Sequence, residues 1–159
     1  MDRIVSVLVA SSWLAIISGG ALAHDTGSNH VVSAAVSAEI EGLPTTDKLP
    51  DGVVQVSPFV PGMGEHWADP KNLPLGPIYC VMDGHITCME YMIAQEDFEA
   101  GKSFTTLRPW FEGAEQPAIH HIDFNFEPNG HEGFEVPHYD VHMYFVSPET
   151  REARTQAQR

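Results

Sequence analysis

Basic residues are scarce in this chain: eight Lys and Arg stand against 22 Asp and Glu, for a formal net charge of −14. A surface of that sign repels phosphate backbones and anionic lipid and attracts cations, so nucleic acid is not expected as a partner. Cysteine is also scarce, with two residues. No paired Cys motif and no helical His-Glu-x-x-His is present, so the chain lacks a standard zinc signature. No Ser or Cys lies in a recognisable nucleophile motif, which disfavours covalent hydrolysis. Internal repeats are absent, and beyond residue 23 no stretch is apolar enough to span a membrane.

The 159 residues allow one domain of ordinary size. Residues 1–23 are set apart from it. Arg3 precedes an apolar run over residues 4–17, and Ala21-Leu22-Ala23 forms a small-residue cleavage pattern before His24. This order predicts a removable secretory signal and a soluble mature protein in the periplasm or outside the cell. No membrane association is expected after cleavage, and no cysteine lies at the cleavage point to carry a lipid. Residues 24–50 are small and polar, with Pro44 and Pro50, and read as a flexible segment; the ordered core is expected to begin near Asp51. A β-rich domain is expected over 51–147. Ser147-Pro148 resembles a helix cap with a first-turn proline, and the polar tail 148–159 reads as a frayed helix or a disordered end.

Within 51–147 the strand signals dominate. Residues 78–82 and 85–93 flank Asp83-Gly84, a pair that favours a tight hairpin turn. Cys80 and Cys88 lie on either side of that turn. In an exported protein two cysteines suggest a disulfide. A regular two-residue turn nevertheless pairs Cys80 with Thr87 and puts Cys88 on the opposite side of the sheet, whereas a bulge brings the two thiols to one face. The turn signal favours unbridged cysteines. Gly62 and Gly64 mark a turn that needs positive φ or close backbone approach, and they lead straight into His66. Residues 95–100 read as a short helix and 103–107 as a strand. Together these signals predict a mainly β domain, an antiparallel curved sheet or barrel with one short helix.

The densest chemistry lies between His120 and Phe145, where five of the nine histidines fall. Two segments alternate with period 2, the pattern of a half-buried strand. Residues 118–126 separate His120, Ile122, Phe124 and Phe126 from Ile119, His121, Asp123 and Asn125. Residues 137–146 separate Tyr139, Val141 and Met143 from His138, Asp140, His142 and Tyr144. Antiparallel pairing of the two across the glycine-containing connection 127–136 makes one face core and the other a plate of imidazoles and carboxylates.

Four phrases, Gly62-Met63-Gly64-Glu65-His66-Trp67, Met89-Glu90-Tyr91-Met92-Ile93, His121-Ile122-Asp123-Phe124-Asn125 with Gly130-His131-Glu132, and Pro137-His138-Tyr139-Asp140-Val141-His142, resemble a family of exported bacterial proteins carrying a domain of unknown function. The resemblance runs over residues 51–146. It implies one β-rich domain and brings no activity with it.

Three functions fit the polar plate. Neutral imidazoles beside carboxylates suit a divalent transition metal such as zinc or copper. Histidines four residues apart on a strand are separated by about 13 Å, so a shared ion belongs near one end of the row. The expected ligands are His121, His138 and His142, supported by Asp140, Glu90 and His66. Metal-free acid–base chemistry or small-ligand binding, with Asp140 or Asp123 holding a histidine tautomer, is the second. The third is a hydrogen-bonded structural face that joins sheets or subunits. An edge strand of weakly specified register also makes a homo-oligomer an expectation.

Overall fold

The computed structural model describes residues 26–107, 111 and 113–157. The proposed signal, residues 1–23, lies outside them. A helix α1 (Thr26–Glu41) precedes strands β1 (Val54–Gln55), β2 (Glu65–Ala68), β3 (Ile78–Met82) and β4 (His85–Ala94). A five-residue helix α2 (Gln95–Glu99), strands β5 (His121–Glu127) and β6 (His138–Tyr144), and helix α3 (Pro148–Ala157) complete the order. The strands form one six-stranded antiparallel sheet in the order β1-β2-β3-β4-β6-β5. The sheet stays open, with β1 and β5 at its edges, so the barrel alternative is set aside. None of the described helices is long and apolar enough to cross a membrane.

The β3–β4 hairpin supplies the middle of the sheet. All five residues of β3 are buried, and Ile86–Met92 of β4 are buried as well. Strands covered on both faces read as unbroken apolar runs, as Ile-Tyr-Cys-Val-Met does here. The Asp83-Gly84 turn forms as expected, with Met82 opposite His85 and Val81 opposite Ile86. The register then shifts, and Cys80 stands opposite Cys88. The expectation of unbridged cysteines is therefore corrected: Cys80 and Cys88 form a disulfide across a Cα–Cα distance of 4.8 Å. Thr87 is the extra residue. Its bulge moves Cys88 onto the face of Cys80, which an uninterrupted ladder forbids.

The N-terminal segment contributes more than expected. Val36 and Ile40, one helical turn apart on α1, are buried, and Leu49 joins the core, so the core begins well before Asp51. Glu39, on the same helix, accepts hydrogen bonds from the Ser147 backbone N–H, the Ser147 hydroxyl and the Thr150 hydroxyl, which ties α1 to the start of α3. The Ser147 hydroxyl in turn accepts from the Thr150 N–H at 3.2 Å, the N-cap anticipated from Ser147-Pro148. The C-terminal tail is thereby a docked helix. Among the described residues three α-helices, not one, flank the sheet, and the strand expected over 103–107 is irregular backbone.

One sheet face carries the main apolar core: Tyr79, Val81, Ile86, Met89, Tyr91 and Phe145, with Leu49 and the half-buried Trp67 and Met143 against them. The opposite face carries the disulfide and the polar plate. Both outer strands of that plate pair as the alternation predicts, with Asp123 opposite His142, Asn125 opposite Asp140 and Glu127 opposite His138. The burial, however, is reversed from expectation. His138, Asp140 and His142 are buried, whereas Ile122 and Phe124 on the apolar side of β5 are 58% and 54% exposed. The reason is the cover each face receives. Two loops and α3 close over the polar side, while among the described residues Phe98 of α2 lies against Phe124 and Tyr139 on the other.

Candidate metal site

The polar plate gathers residues from four strands and one turn. Cross-strand pairing puts Ile78, Glu90, His142 and Asp123 in one row on β3, β4, β6 and β5. Met92, Asp140 and Asn125 make the next row, and His138 lies beyond it. β2 brings His66 alongside Cys80. Glu90 is 3% exposed in the middle of this group. A carboxyl group at that depth needs compensation from its neighbours.

Two glycine turns bring the cover down. Gly64 has φ +89°, and an added Cβ would strike the Val81 carbonyl, so the loop before β2 rests directly on β3. Met63 from that loop packs against Cys80, Cys88 and Tyr144. Gly130 has φ +64°, and a Cβ there would meet the Phe134 carbonyl. The tight turn that follows pairs His131 with Phe134 through two backbone hydrogen bonds and projects His131 over β6. Between the two covers runs a cleft of about 560 Å³, lined by Val56, Met63, His66, Glu90, His131 and Asp140 among others.

At the cleft wall His131 and Asp140, with the fully buried His138 behind them, form a group whose ligand atoms all lie within 4.8 Å of one another, a set that could hold a metal ion. His138 Nε2 stands 3.1 Å from His131 Nε2 and 3.0 Å from Asp140 Oδ1, and His131 Nε2 is 3.6 Å from Asp140 Oδ2. The other nitrogen of each ring is already engaged. His138 Nδ1 lies 2.7 Å from the Val136 carbonyl and His131 Nδ1 lies 3.1 Å from the Glu132 carbonyl. A carbonyl accepts only, so each Nδ1 carries the hydrogen and each Nε2 of a neutral ring presents its lone pair. Three acceptors thus converge, and Asp140 Oδ1 accepts no hydrogen bond despite the short contact. A positive charge, as a proton or a metal, is what such an arrangement calls for.

Glu90, His66 and His142 adjoin this group. Glu90 Oε1 is 3.5 Å from His142 Nε2, and Oε2 is 4.0 Å from His66 Nε2. Burial, with smaller charge effects from neighbouring histidines, pushes both rings down to about 4, so they are neutral at pH 7. Burial together with the adjacent Asp140 pushes Glu90 up to about 8. Burial likewise raises Asp140, against the pull of His138 and His131. Burial and the adjacent Asp140 thus hold Glu90 toward its neutral form, hydrogen-bonded to Asp140.

Of the six ligands expected from the sequence, the structure brings five together: His66, Glu90, His138, Asp140 and His142. His121 is directed elsewhere. Its ring stacks on Tyr144, and its nitrogens face His120 at 3.1 Å and Arg151 at 3.4 Å, the arginine that pairs with Asp123. In its stead the turn supplies His131, which sequence reasoning passed over. The available signal was Gly130-His131-Glu132 inside the loop joining the two histidine-bearing strands, but strand periodicity says nothing about where a loop side chain lands.

The sheet has a counterpart among solved structures. The chain is similar to the hypothetical protein TTHB210 from Thermus thermophilus, with a TM-score of 0.52 and 20% sequence identity over 68% of this chain and 97% of that one. The likeness establishes the shared fold. No protein-family model matches the chain, and no curated protein matches it in sequence.

Proposed function

We propose that this protein binds a divalent transition metal in the cleft through His131, His138 and Asp140. The observation that carries this reading is the convergence of two imidazole lone pairs and a carboxylate, each ring locked in its tautomer by a backbone carbonyl. Such an outer hydrogen bond is the usual means of orienting a metal-bound histidine. The two ring nitrogens are 3.1 Å apart and His138 is 3.0 Å from one Asp140 oxygen, close to the distance of about 3.3 Å between neighbouring ligands of a tetrahedral ion with bonds near 2.0–2.1 Å. One ligand atom from each residue keeps the whole set within 4.8 Å. Mixed nitrogen and oxygen donors suit zinc, iron, manganese, nickel or copper. His131 lies at the cleft mouth with 44% of its side chain exposed, so solvent and small molecules have a route to the ion. We further propose that the protein works in an oxidising compartment outside the cytoplasm, a reading supported by the Cys80–Cys88 bridge and by the signal-like order of residues 1–23.

Elemental analysis of the full chain purified without a histidine tag tests the metal reading. Near-stoichiometric metal is expected, with affinity reduced about tenfold or more in His131→Ala and His138→Ala. His131 is half exposed, so its variant should remain folded. No retained metal after incubation with zinc, manganese and copper followed by dialysis would overturn the reading. A shared proton would then account for the contact, and the face would be a structural one.

A further inference from the structure

The pairing of His66 and His142 across Glu90 is not used by the three-ligand site, and its chemistry is of the same kind. We propose that the cleft holds a second metal position, built from His66 Nε2, His142 Nε2 and Glu90, and that Glu90 and Asp140 lie between the two ions as a shared carboxylate pair. This inference rests on the first position being a metal site.

His142 is the clearest indication. Its side chain is 6% exposed, it stands directly opposite Glu90 on the neighbouring strand, and its Nε2 is buried without a hydrogen-bond partner. Buried ring nitrogens are normally satisfied, and one left open toward a carboxylate needs a reason. His66 Nε2 is in the same state. Its tautomer is determined as well. The Ser57 hydroxyl donates to the Pro58 carbonyl at 2.8 Å, so it accepts from His66 Nδ1 at 3.2 Å, and the Nε2 lone pair is turned toward Glu90. The Ser57 hydroxyl also accepts from the His66 backbone N–H at 3.0 Å, which pins the ring's support to the start of β2. The two rings approach different oxygens of Glu90, at 3.5 and 4.0 Å. Both spacings exceed the ligand separation of about 3.3 Å in a tetrahedral site, and the three donors do not all lie within 4.8 Å of one another as those of the first position do, so the two rings must turn inward to share an ion. Glu90 is also in contact with Asp140, the carboxylate of the first position. Two carboxylates side by side, each flanked by two imidazoles, are the donor set of a paired-metal centre.

The test is equilibrium dialysis of the chelator-treated full chain against cobalt(II), read by bound cobalt and by electron paramagnetic resonance. About two equivalents are expected for the parent, falling to about one in His66→Ala and in His142→Ala, with circular dichroism confirming the fold of each. Glu90→Gln, nearly isosteric, guards against misfolding and should bind only at the first position. Ions sharing carboxylates are magnetically coupled, so signal per cobalt should fall as the second equivalent loads. One equivalent, unaffected by His66→Ala and Glu90→Gln, would overturn the second position and leave the first standing. Two equivalents with undiminished, additive signals would overturn the shared centre. No bound cobalt would overturn both positions.

Discussion

The two faces of the β5–β6 pair invert the usual relation between polarity and burial. On one side His138, Asp140 and His142 are at most 6% exposed, and on the other Ile122, Phe124 and Phe126 are at least 43% exposed. Hydrophobic burial favours the opposite arrangement, at roughly 25 cal/mol per Å². The polar face is held inside by specific cover. Gly64 lets one loop rest on Val81, the His131 turn closes from the other end, and Arg151 of α3 lies 3.8 Å over the Tyr144 ring while pairing with Asp123. A protein that buries histidines and acids while leaving phenylalanines exposed has given up part of its stability for the polar face. That cost is the physical argument for a ligand there.

Substitutions on the apolar side of the sheet separate its two halves most strongly. Met89, fully buried beneath the central strands, should cost about 2–5 kcal/mol as Met89→Ala, read as a lowered denaturation midpoint. Phe124, on the same side at the edge, should change monomer stability by about 0.5 kcal/mol or less as Phe124→Ser. A loss comparable to that of Met89→Ala would mean that the β5 face is covered in solution, and a simultaneous drop in oligomer mass would identify a second copy as the cover.

The polar face should respond to pH where the apolar face does not. Glu90 ionises near 4.5 when unfolded and at about 8 in the fold, so the folded chain holds a proton that the unfolded chain releases between those values. Stability of the chelator-treated protein should therefore decline as pH rises through that window. His66 and His142 act in the other direction. Their folded values of about 4 lie below the ordinary value of 6.5, so the unfolded chain takes up protons first and stability declines as pH falls from 6.5 toward 4. Glu90→Gln should remove the alkaline decline and leave the acid one. Urea midpoints across roughly pH 4–9 measure both, and an unchanged alkaline arm in the variant would show that Glu90 does not carry it.

A modest effect is expected at the anchoring of α3, whose Arg151 covers part of the polar face. Ser147→Ala removes the N-cap and one donor to Glu39, a loss of about 1 kcal/mol by thermal melt. A much larger loss would make the α1–α3 contact a condition for closing the cleft.

Local pattern alone specified a good deal. Period-2 alternation in 118–126 and 137–146 identified both strands and which residues share a face, because side-chain direction along a strand is a backbone property. Asp83-Gly84 determined the hairpin turn, Gly62 and Gly64 the special backbone before His66, and Ser147-Pro148 the start of α3. The same sequence reasoning named five of the six grouped residues. What it could not determine was which surface becomes the interior, since that depends on the cover arriving from loops and helices distant in sequence. Nor could it anticipate the Thr87 bulge, which joins Cys80 to Cys88 through a local break in register. The closing turn at Gly130 brought in His131, and α3 brought Arg151 to His121 and so drew that ring away from the group. Pairing and facing follow from the chain's own periodicity, whereas burial, the disulfide and the make-up of the histidine and carboxylate group follow from contacts between segments that only the tertiary structure brings together.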